Sequence, residues 1–349
     1  MSENLFPMFL RACERVGRTE VANQCGLHLG TIKRWIELES VPPQYWFDLA
    51  RILEINVDYE SFTAKEKDQF FTEPSAAVDC LSSLYSLLRD NNIDPNEYTF
   101  IEPSAGDGSF FNCLPPDRRI GLDIEPRADG VIAQDFLTWT PPPGKYICVG
   151  NPPFGLRGHT ALKFINHAST FCDFVAFIVP QLFNSNGKGS CKSRVLGLNL
   201  IHTDTTDTTF HNPDGTNVKV NVVFQVWSKN IESPEIISNL DGIIKLVSLS
   251  DGGTPSSTRN KALHHKCDYY LPSTVFGSSS MRLYDTFDEL PLRRGYGIIV
   301  LTNKEAIGAI IRTTDWSNVA FVSTNNAYNL RFDLITNHIA NCLPSHINS

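Results

Sequence analysis

The sequence predicts an α/β protein with a central mixed sheet, preceded by an all-α domain and followed by an α+β region. Three observations support this prediction. Short apolar runs between residues 98 and 227 alternate with polar turns, as strands do. Helical periodicity dominates the first sixty residues. After Trp227 the pattern changes, and the stretch 248–261, SLSDGGTPSSTRNK, reads as a linker or loop. We therefore expect domains at 1–60, 61–235 and 236–349.

The composition is that of an ordinary globular chain, with 42% hydrophobic and 19% charged residues among 349. No apolar run reaches the ~18–20 residues of a transmembrane helix, and the first residues lack signal-peptide features. The nine cysteines include no Cys-x-x-Cys pair, so neither a disulfide framework nor a zinc site is indicated. We expect a cytoplasmic protein without a metal or a membrane. The net charge of −8 disfavours bulk nonspecific nucleic-acid binding but is compatible with a local basic cleft.

The first element is a candidate helix-turn-helix at residues 19–36, TEVANQCGLHLGTIKRWI. Ala22 lets two helices approach, Gly26 takes the turn, and Ile32 packs the second helix onto the first. The whole of 4–57 resembles the small Cro/repressor-like DNA-binding domains, which implies that the second helix contacts DNA. It would present Thr31, Lys33 and Arg34. The alternative is a helical hairpin that only docks on its neighbour.

The next element is a strand at about 98–101 that runs into Glu102 and a turn with Gly106 and Gly108. Glycine at such a turn lets the backbone pass close to a ligand. Taken alone, the turn is equally explained as a tight connection from strand to helix.

Polar residues also end the three strands that follow. Asp123 ends the second and suits two ribose hydroxyls, and Asp135 ends the third, predicted at 131–137, where it suits an exocyclic amine beside the Phe136 ring. The fourth runs into Asn-Pro-Pro-Phe at 151–154. Taken alone, each acid is best explained as a turn residue; it is the series of such strand ends that indicates a site. Because ligands bind at the carboxyl ends of strands in open α/β sheets, we expect all four features on one edge.

Glu-Pro-x-Ala-Gly-x-Gly-x-Phe at 102–110 followed by Asn-Pro-Pro-Phe resembles the S-adenosylmethionine-dependent amino-methyltransferases, specifically the N6-adenine DNA methyltransferases. The resemblance covers about residues 68–230 and implies a Rossmann-like fold, an adenine-specific DNA methyltransferase activity, S-adenosylmethionine as cofactor and double-stranded DNA as partner. It also allows a cognate restriction endonuclease. The segment 68–81, DQFFTEPSAAVDCL, resembles the family's Phe-x-Thr-Pro motif. Because this segment precedes the glycine motif, the motifs follow the gamma-type order, in which the target-recognition region comes last. Glu73 between Thr72 and Pro74 departs from that motif.

The resemblance also implies roles at the cofactor. Asp123 takes the ribose hydroxyls, with Ile124 against the adenine, and Asp135 accepts the adenine amine. The residues assigned to cofactor binding are Phe71, Thr72, Pro74, Glu102, Ser104, Gly106, Gly108, Asp123, Ile124, Asp135 and Phe136.

The Asn-Pro-Pro-Phe segment suits a poor nucleophile, because the lone pair of an exocyclic amine is delocalised into its ring. The Asn151 side-chain oxygen and the Pro152 carbonyl can accept both amine hydrogens and stabilise the developing positive charge. Pro153 keeps that carbonyl pointing inward, and Phe154 offers a face on which a base stacks, typically worth ~1–3 kcal/mol. Because the amine is out of reach inside a duplex, we expect base flipping. Phe210 is the candidate second stacking face, or else a core residue.

Two basic regions are further candidates for DNA contact. The loop 184–194 carries Lys188, Lys192 and Arg194, which could grip phosphates, or it is an ordinary surface loop. In the C-terminal third, Arg293 and Arg294 belong to a positively charged region that the resemblance assigns to target recognition. The alternative there is a solvated face.

Other acceptors and another class of protein stay open. Asn-Pro-Pro-aromatic sites also act on RNA adenines and on protein glutamines, and N4-cytosine methylation is conceivable although that class more often has Ser in place of Asn151. A DNA-binding regulator could instead use a methyltransferase-like domain as a ligand sensor. The intact Asn-Pro-Pro-Phe segment argues against a sensor, which needs no clamp for an amine.

Overall fold

The computed structural model of the chain consists of two compact units. It describes residues 4–63, 66–67, 69–184, 190–206, 209–233, 240–254, 257–277, 280–322 and 327–343. The first unit is Met1–Phe177 with Thr208–Lys219, and the second is Ile178–Asp207 with Val220–Ser349. The first unit thus includes the N-terminal helices together with the strands that follow them, and the three domain bounds stay a prediction. In the described ranges no helix is long and apolar enough to cross a bilayer.

The N-terminal part of the first unit is helical, and its helices are α1 Phe6–Val16, α2 Arg18–Gln24, α3 Leu29–Leu38 and α4 Trp46–Ile52. Gly26 takes a φ of +57° in the turn between α2 and α3, which glycine adopts without strain. The His28 side chain caps α3 by accepting a hydrogen bond from the Gly30 N–H at 3.1 Å. Ala22 and Ile32 are buried in the shared core. The predicted all-α region is confirmed.

The middle of the chain alternates strands and helices. Its elements are β1 Phe71–Thr72, α5 Pro74–Asp90, β2 Thr99–Glu102, β3 Arg119–Asp123, β4 Ile132–Ala133, β5 Tyr146–Gly150, α6 His159–Ala168, β6 Phe174–Pro180, β7 Asn199–Thr206, β8 Thr209–His211, β9 Asn217–Lys219 and β10 Val222–Ser228. Seven strands form one sheet in the order β4-β3-β2-β5-β6-β10-β7. Neighbours from β4 to β6 are parallel, whereas β10 and β7 are antiparallel. This mixed, Rossmann-like sheet confirms the predicted α/β class.

The central strands are buried along their whole length. Every residue of β5 and of β6 is buried, as parallel strands covered on both faces should be. The prediction of a strand at 131–137 was wrong in extent, because β4 ends at Ala133. Asp135 instead caps a short turn by accepting a hydrogen bond from the Leu137 N–H at 2.9 Å. Aspartate favours such a local turn over a strand.

A small antiparallel sheet in the first unit has the order β1-β8-β9. Its register pairs Phe71 with His211 and Thr72 with Phe210. It therefore brings the Phe-Thr segment, which the sequence predicts at the cofactor, next to the candidate stacking residue Phe210.

The C-terminal part of the second unit is α+β, as predicted. Its elements are β11 Ile244–Ser250, β12 Tyr269–Pro272, β13 Thr274–Val275, β14 Arg294–Val300, α7 Lys304–Thr313, α8 Trp316–Val319, β15 Phe321–Val322, β16 Tyr328–Asn329 and α9 Phe332–Cys342. They form the antiparallel sheets β11-β14-β12 and β13-β16-β15. The predicted linker at 248–261 was wrong at its start, because Ser248–Ser250 lie in β11 and pair with Tyr296–Arg294 of β14.

Candidate functional site

The first feature of the site is that three of the four predicted strand ends, those of β2, β3 and β5, lie next to one another. In parallel pairing, Glu102 of β2 lies opposite Gly121 of β3, and β2 also pairs with β5. The Gly106 N–H donates to Asp123 Oδ2 at 2.7 Å, and Ser104 Oγ donates to the Asn151 carbonyl at 3.0 Å. The glycine turn after β2 is therefore hydrogen-bonded to the polar ends of both neighbouring strands.

Asn151 presents an unused acceptor. Its Nδ2 donates to the Phe70 carbonyl at 3.4 Å, which turns Oδ1 the other way. Oδ1 is buried and has no hydrogen-bond partner among the described residues. Leaving a buried polar atom unpaired costs ~1–3 kcal/mol, so such an atom in a native fold is explained by a ligand that donates to it.

The loop after Asn151 is tied to helix α6. The Phe154 carbonyl accepts hydrogen bonds from the Thr160 N–H at 3.1 Å and the Ala161 N–H at 3.3 Å. Gly155 takes a φ of +67°, and a Cβ there would overlap the Thr160 side chain. The segment Pro152–Phe154 is thus held between β5 and α6. Phe154 is only 7% exposed, so its role as a stacking face stays a prediction.

Glu102 is a second buried group without a full set of partners. It is 2% exposed, and its Oε2 has no partner among the described residues. Burial raises the pKa of this carboxyl well above its usual range, although a backbone hydrogen bond from Phe111 opposes the rise, and the nearby acids Asp123 and Asp107 add to it. An approaching cation would relieve this cost by favouring the carboxylate.

Asp123 is held in one orientation at the end of β3. Its Oδ1 accepts from the Glu125 N–H and its Oδ2 from the Gly106 N–H, both at 2.7 Å. Burial raises its pKa, and these two hydrogen bonds oppose the rise. Each carboxylate oxygen keeps a second lone pair, so both can still accept a hydroxyl. The neighbouring Ile124 is 43% exposed and offers an apolar surface.

The glycine turn packs directly against the Phe-Thr strand. Gly106 has a φ of +52°, and a Cβ there would lie 2.8 Å from the Phe71 ring. Gly108 has a φ of +89°, and a Cβ there would lie 2.7 Å from Ala128. Phe71 and Thr72 are themselves buried, and α5 begins at Pro74, with one residue in between. Only glycine fits the turn in this packing.

A histidine that sequence reasoning missed joins two acids at this place. His211 Nδ1 lies 3.3 Å from Glu73 Oε1, and its Nε2 lies 3.1 Å from Asp107 Oδ2. Glu73 is the residue that interrupts the Phe-x-Thr-Pro-like motif, and its contact with His211 gives it a structural role. The departure itself was the available signal, but it gave no indication of the partner, 138 positions further along the chain.

Asp135 and Phe136 lie against the N-terminal helices and α6. Asp135 Oδ2 accepts a hydrogen bond from Arg51 Nε of α4 at 3.0 Å, a partner that the sequence did not reveal. Phe136 is 1% exposed. Its ring packs against Phe164 and His167 of α6, so its place beside a purine stays a prediction.

Phe210 is enclosed as well, at 1% exposure. Its backbone pairs with Thr72 across β8 and β1. A flipped base would reach this ring only if the side chains that cover it moved, and the stacking role stays a prediction that a variant can test.

The candidate DNA contacts differ in availability. On α3, Lys33 and Arg34 are exposed and Thr31 is half-buried, and Arg294 is exposed at the start of β14. Arg293 already forms ion pairs with Asp251 at 3.2 Å and Asp288 at 3.0 Å.

The loop at 184–194 is described only in part, and Lys188 lies outside the described residues. Lys192 is half-buried, and burial lowers its pKa while Asp333 opposes the shift. Lys192 lines a shallow cavity of about 240 Å³ together with Trp227. Arg194 is also half-buried. Within the described ranges no group of three His, Cys, Asp or Glu side chains is placed to hold a metal ion.

Comparison with known proteins gives only distant structural likeness. No protein-family model matches the sequence, and a search of curated proteins finds no match. A Pyrococcus horikoshii protein described as a candidate RNA methyltransferase has a TM-score of 0.35 and 21% identity, over 47% of this chain and 88% of its own. The magnesium protoporphyrin IX methyltransferase of Synechocystis, with bound S-adenosylmethionine, has a TM-score of 0.31 and 13% identity, over 44% and 80%.

A third solved structure is the modification subunit of a candidate type I restriction enzyme from Vibrio vulnificus. It has a TM-score of 0.30 and 13% identity, over 64% of this chain and 56% of that chain. At this distance the likeness does not define a family, so the function is argued from the site itself.

Proposed function

We propose that the chain transfers a methyl group from S-adenosylmethionine to the N6 amino group of adenine in DNA. The observation that carries the proposal is the Oδ1 of Asn151, directly after β5, which is buried and has no hydrogen-bond partner in the described part of the chain. It stands at the same sheet edge as the Gly106 turn and two carboxylates, Glu102 and Asp123. An acceptor for an amine beside a nucleoside-type site is the minimum that amino methylation requires.

The residues at that edge fit the cofactor. Glu102 Oε2, buried and unpaired, suits the ammonium of a methionine moiety. Asp123 keeps a free lone pair on each oxygen for two ribose hydroxyls, and the exposed side chain of Ile124 suits an adenine face. The Asp135 carboxylate accepts hydrogen bonds from two described donors, Leu137 N–H and Arg51 Nε, and can accept an adenine amine as a third.

The chain's own groups would bind and orient the amine; they would not relay a proton. Asn151 Oδ1 and the Pro152 carbonyl accept the two N6 hydrogens, which directs the nitrogen lone pair outward and stabilises the positive charge that develops. Asn is better than Asp here because a neutral amide accepts without trapping the proton. S-adenosylmethionine, held by Glu102 and Asp123, would supply a methyl group on a positively charged sulfur. Transfer of that methyl to the N6 lone pair would leave the sulfur as a neutral thioether, and N6 would lose a proton to solvent.

The acceptor is argued from the N-terminal helices. α3 follows a glycine turn and exposes Lys33 and Arg34, as a helix that enters a major groove would. This helical region belongs to the same compact unit as Asn151. We therefore propose duplex DNA as the polymer that would contact both α3 and the site at Asn151. The target base would be flipped out, at a cost of a few kcal/mol.

The test is to incubate the purified chain with unmethylated DNA and S-adenosylmethionine, digest the DNA to nucleosides and analyse them by mass spectrometry. N6-methyladenine is the expected product. Asn151→Ala should abolish it without loss of S-adenosylhomocysteine binding, whereas Asn91→Ala, at the exposed end of α5, should leave it unchanged.

Other results would redirect the assignment. N4-methylcytosine would change the base. No modified base, with cofactor binding intact, would exclude DNA as acceptor and move the proposal to RNA adenine, to protein glutamine or to the sensor class. Full activity of Asn151→Ala would show that the site is wrongly assigned.

A further inference from the structure

The last helix of the N-terminal domain lies against the residue proposed for the adenine amine. Arg51 of α4 donates from Nε to Asp135 Oδ2 at 3.0 Å, although 84 positions separate the two residues. Its Nη1 lies 3.5 Å from Asp48 Oδ1. Asp48 in turn pairs with Lys163 of α6 at 2.6 Å. A chain of alternating charges thus joins α4, the end of β4 and α6.

The four side chains of this series of ion pairs are partly buried. The side chains of Asp48 and Lys163 are 14% and 17% exposed, and those of Arg51 and Asp135 are 32% and 24% exposed. Partial burial strengthens such pairs relative to exposed ones. Burial lowers the pKa of Arg51, but the attraction of Asp135, the hydrogen bond to it and the further attraction of Asp48 and Tyr59 together outweigh burial, so the net shift is upward.

The geometry at Asp135 fixes how its carboxylate faces. Oδ1 accepts from the Leu137 N–H at 2.9 Å, and Oδ2 accepts from Arg51 at 3.0 Å. Two donors on different oxygens leave the carboxylate one orientation, with a further lone pair on each oxygen. Without Arg51 the group would be held at one oxygen only and could rotate about its Cβ–Cγ bond, whose torsion has broad minima.

We propose that Arg51 is a positioning residue for the cofactor: it holds the Asp135 carboxylate in the orientation that accepts the adenine amine. The N-terminal helical domain is then part of the cofactor site as well as a candidate DNA-binding element. The inference rests on the proposed function, because it takes S-adenosylmethionine as the ligand of Asp135.

A purely structural role for Arg51 makes a different prediction. If the guanidinium only docked α4 through Asp48, its loss would weaken every ligand alike and would not depend on Asp135. If it acts through Asp135, its loss should affect the recognition of the amine, and should have little effect once Asp135 has been replaced. A double-mutant cycle separates the two.

The experiment measures binding to the full chain by isothermal titration calorimetry. The probes are S-adenosylhomocysteine and S-inosylhomocysteine, whose base has an oxo group in place of the amine. The variants are Arg51→Gln, Arg51→Lys, Asp135→Asn and Arg51→Gln/Asp135→Asn. Arg15→Gln is the matched control, because Arg15 pairs with Glu54 at the surface of the same domain. Thermal unfolding of each variant identifies any that fails to fold, and Arg51→Lys, which keeps the charge, then takes the place of Arg51→Gln.

Arg51→Gln should weaken S-adenosylhomocysteine binding about tenfold and reduce the preference for the amine over the oxo base by a similar factor. On the Asp135→Asn background the same change should cost less than about twofold, and Arg15→Gln should bind like the unmodified chain. Equal losses on both backgrounds, or an unchanged preference, would overturn the role of Arg51 while leaving the proposed cofactor in place. Failure of the unmodified chain to bind S-adenosylhomocysteine would overturn both.

Discussion

Gly26, in the turn between α2 and α3, packs so closely on His159, the first residue of α6, that a Cβ on Gly26 would overlap the imidazole ring. α6 begins five positions after Phe154, the last residue of the Asn-Pro-Pro-Phe segment, and the Phe154 carbonyl accepts hydrogen bonds from its first turn. The turn between α2 and α3 therefore contacts the same helix that anchors the candidate catalytic loop.

Replacing Gly26 with alanine tests this contact. Gly26→Ala should destabilise the chain by ~2–4 kcal/mol, because it adds overlap with His159 to the cost of a positive φ. Gly215→Ala is the control, since Gly215 also has a positive φ, +82°, but has no atom of a described residue within 4 Å of its Cβ position. Urea unfolding of both variants measures the difference. Equal losses would mean that only the backbone conformation matters and that Gly26 is not packed on α6.

Glu102 should make stability fall with rising pH. Its pKa in the folded chain is raised above the ordinary value, chiefly by burial, so the folded state holds its proton longer than the unfolded state does. Stability is therefore lost as the pH rises from the ordinary glutamate pKa towards the raised one, by ~1.4 kcal/mol for each unit between them.

Glu102→Gln removes this titration. We expect the variant to melt at a higher temperature than the unmodified chain at pH 8, with a smaller gap at pH 5, and to bind S-adenosylhomocysteine less tightly. Glu97→Gln, at an exposed pair with Lys145, should show neither effect. A gap between Glu102→Gln and the unmodified chain that did not change with pH would show that the carboxyl does not titrate as its burial requires.

Phe210→Ala distinguishes a core residue from a stacking residue. At 1% exposure, truncation should cost ~3–5 kcal/mol of stability. Phe210→Leu should recover most of that stability, and, if the ring does not stack on a base, also most of the methylation rate. Urea unfolding and the nucleoside assay measure the two effects. A Leu variant that is stable but inactive on DNA would instead support stacking.

Much of the fold was accessible from sequence because it depends on local patterns. Continuous apolar runs predict β5 and β6, and the polar residues after β2, β3 and β5 predict a common edge because parallel strands end together. The extent of β4 was not accessible, since Asp135 bonds to its own backbone instead of extending the strand.

Contacts between distant positions were not accessible either. No periodicity relates Arg51 to Asp135 or His211 to Glu73, because each pair is brought together by packing between elements that are far apart in sequence. The direction of single aromatic rings is similarly undetermined. Phe136 and Phe210 each come after polar or acidic residues in the sequence, which favoured a ligand-binding role. In the structure, however, each ring is buried.

Asn151 Oδ1 and Glu102 Oε2 are both buried without a hydrogen-bond partner among the described residues, and this has a practical consequence. Burial of each oxygen without a hydrogen bond costs folding free energy, and a ligand that donates to the oxygen removes this cost. Ligand binding should therefore raise the free energy of unfolding. The melting temperature can then be used to detect ligand binding. Ligands that satisfy Glu102 should raise it alone, and a base whose amine reaches Asn151 should raise it further only when the cofactor site is filled. A screen of nucleosides and short oligonucleotides in the presence of S-adenosylhomocysteine could rank acceptors without any turnover.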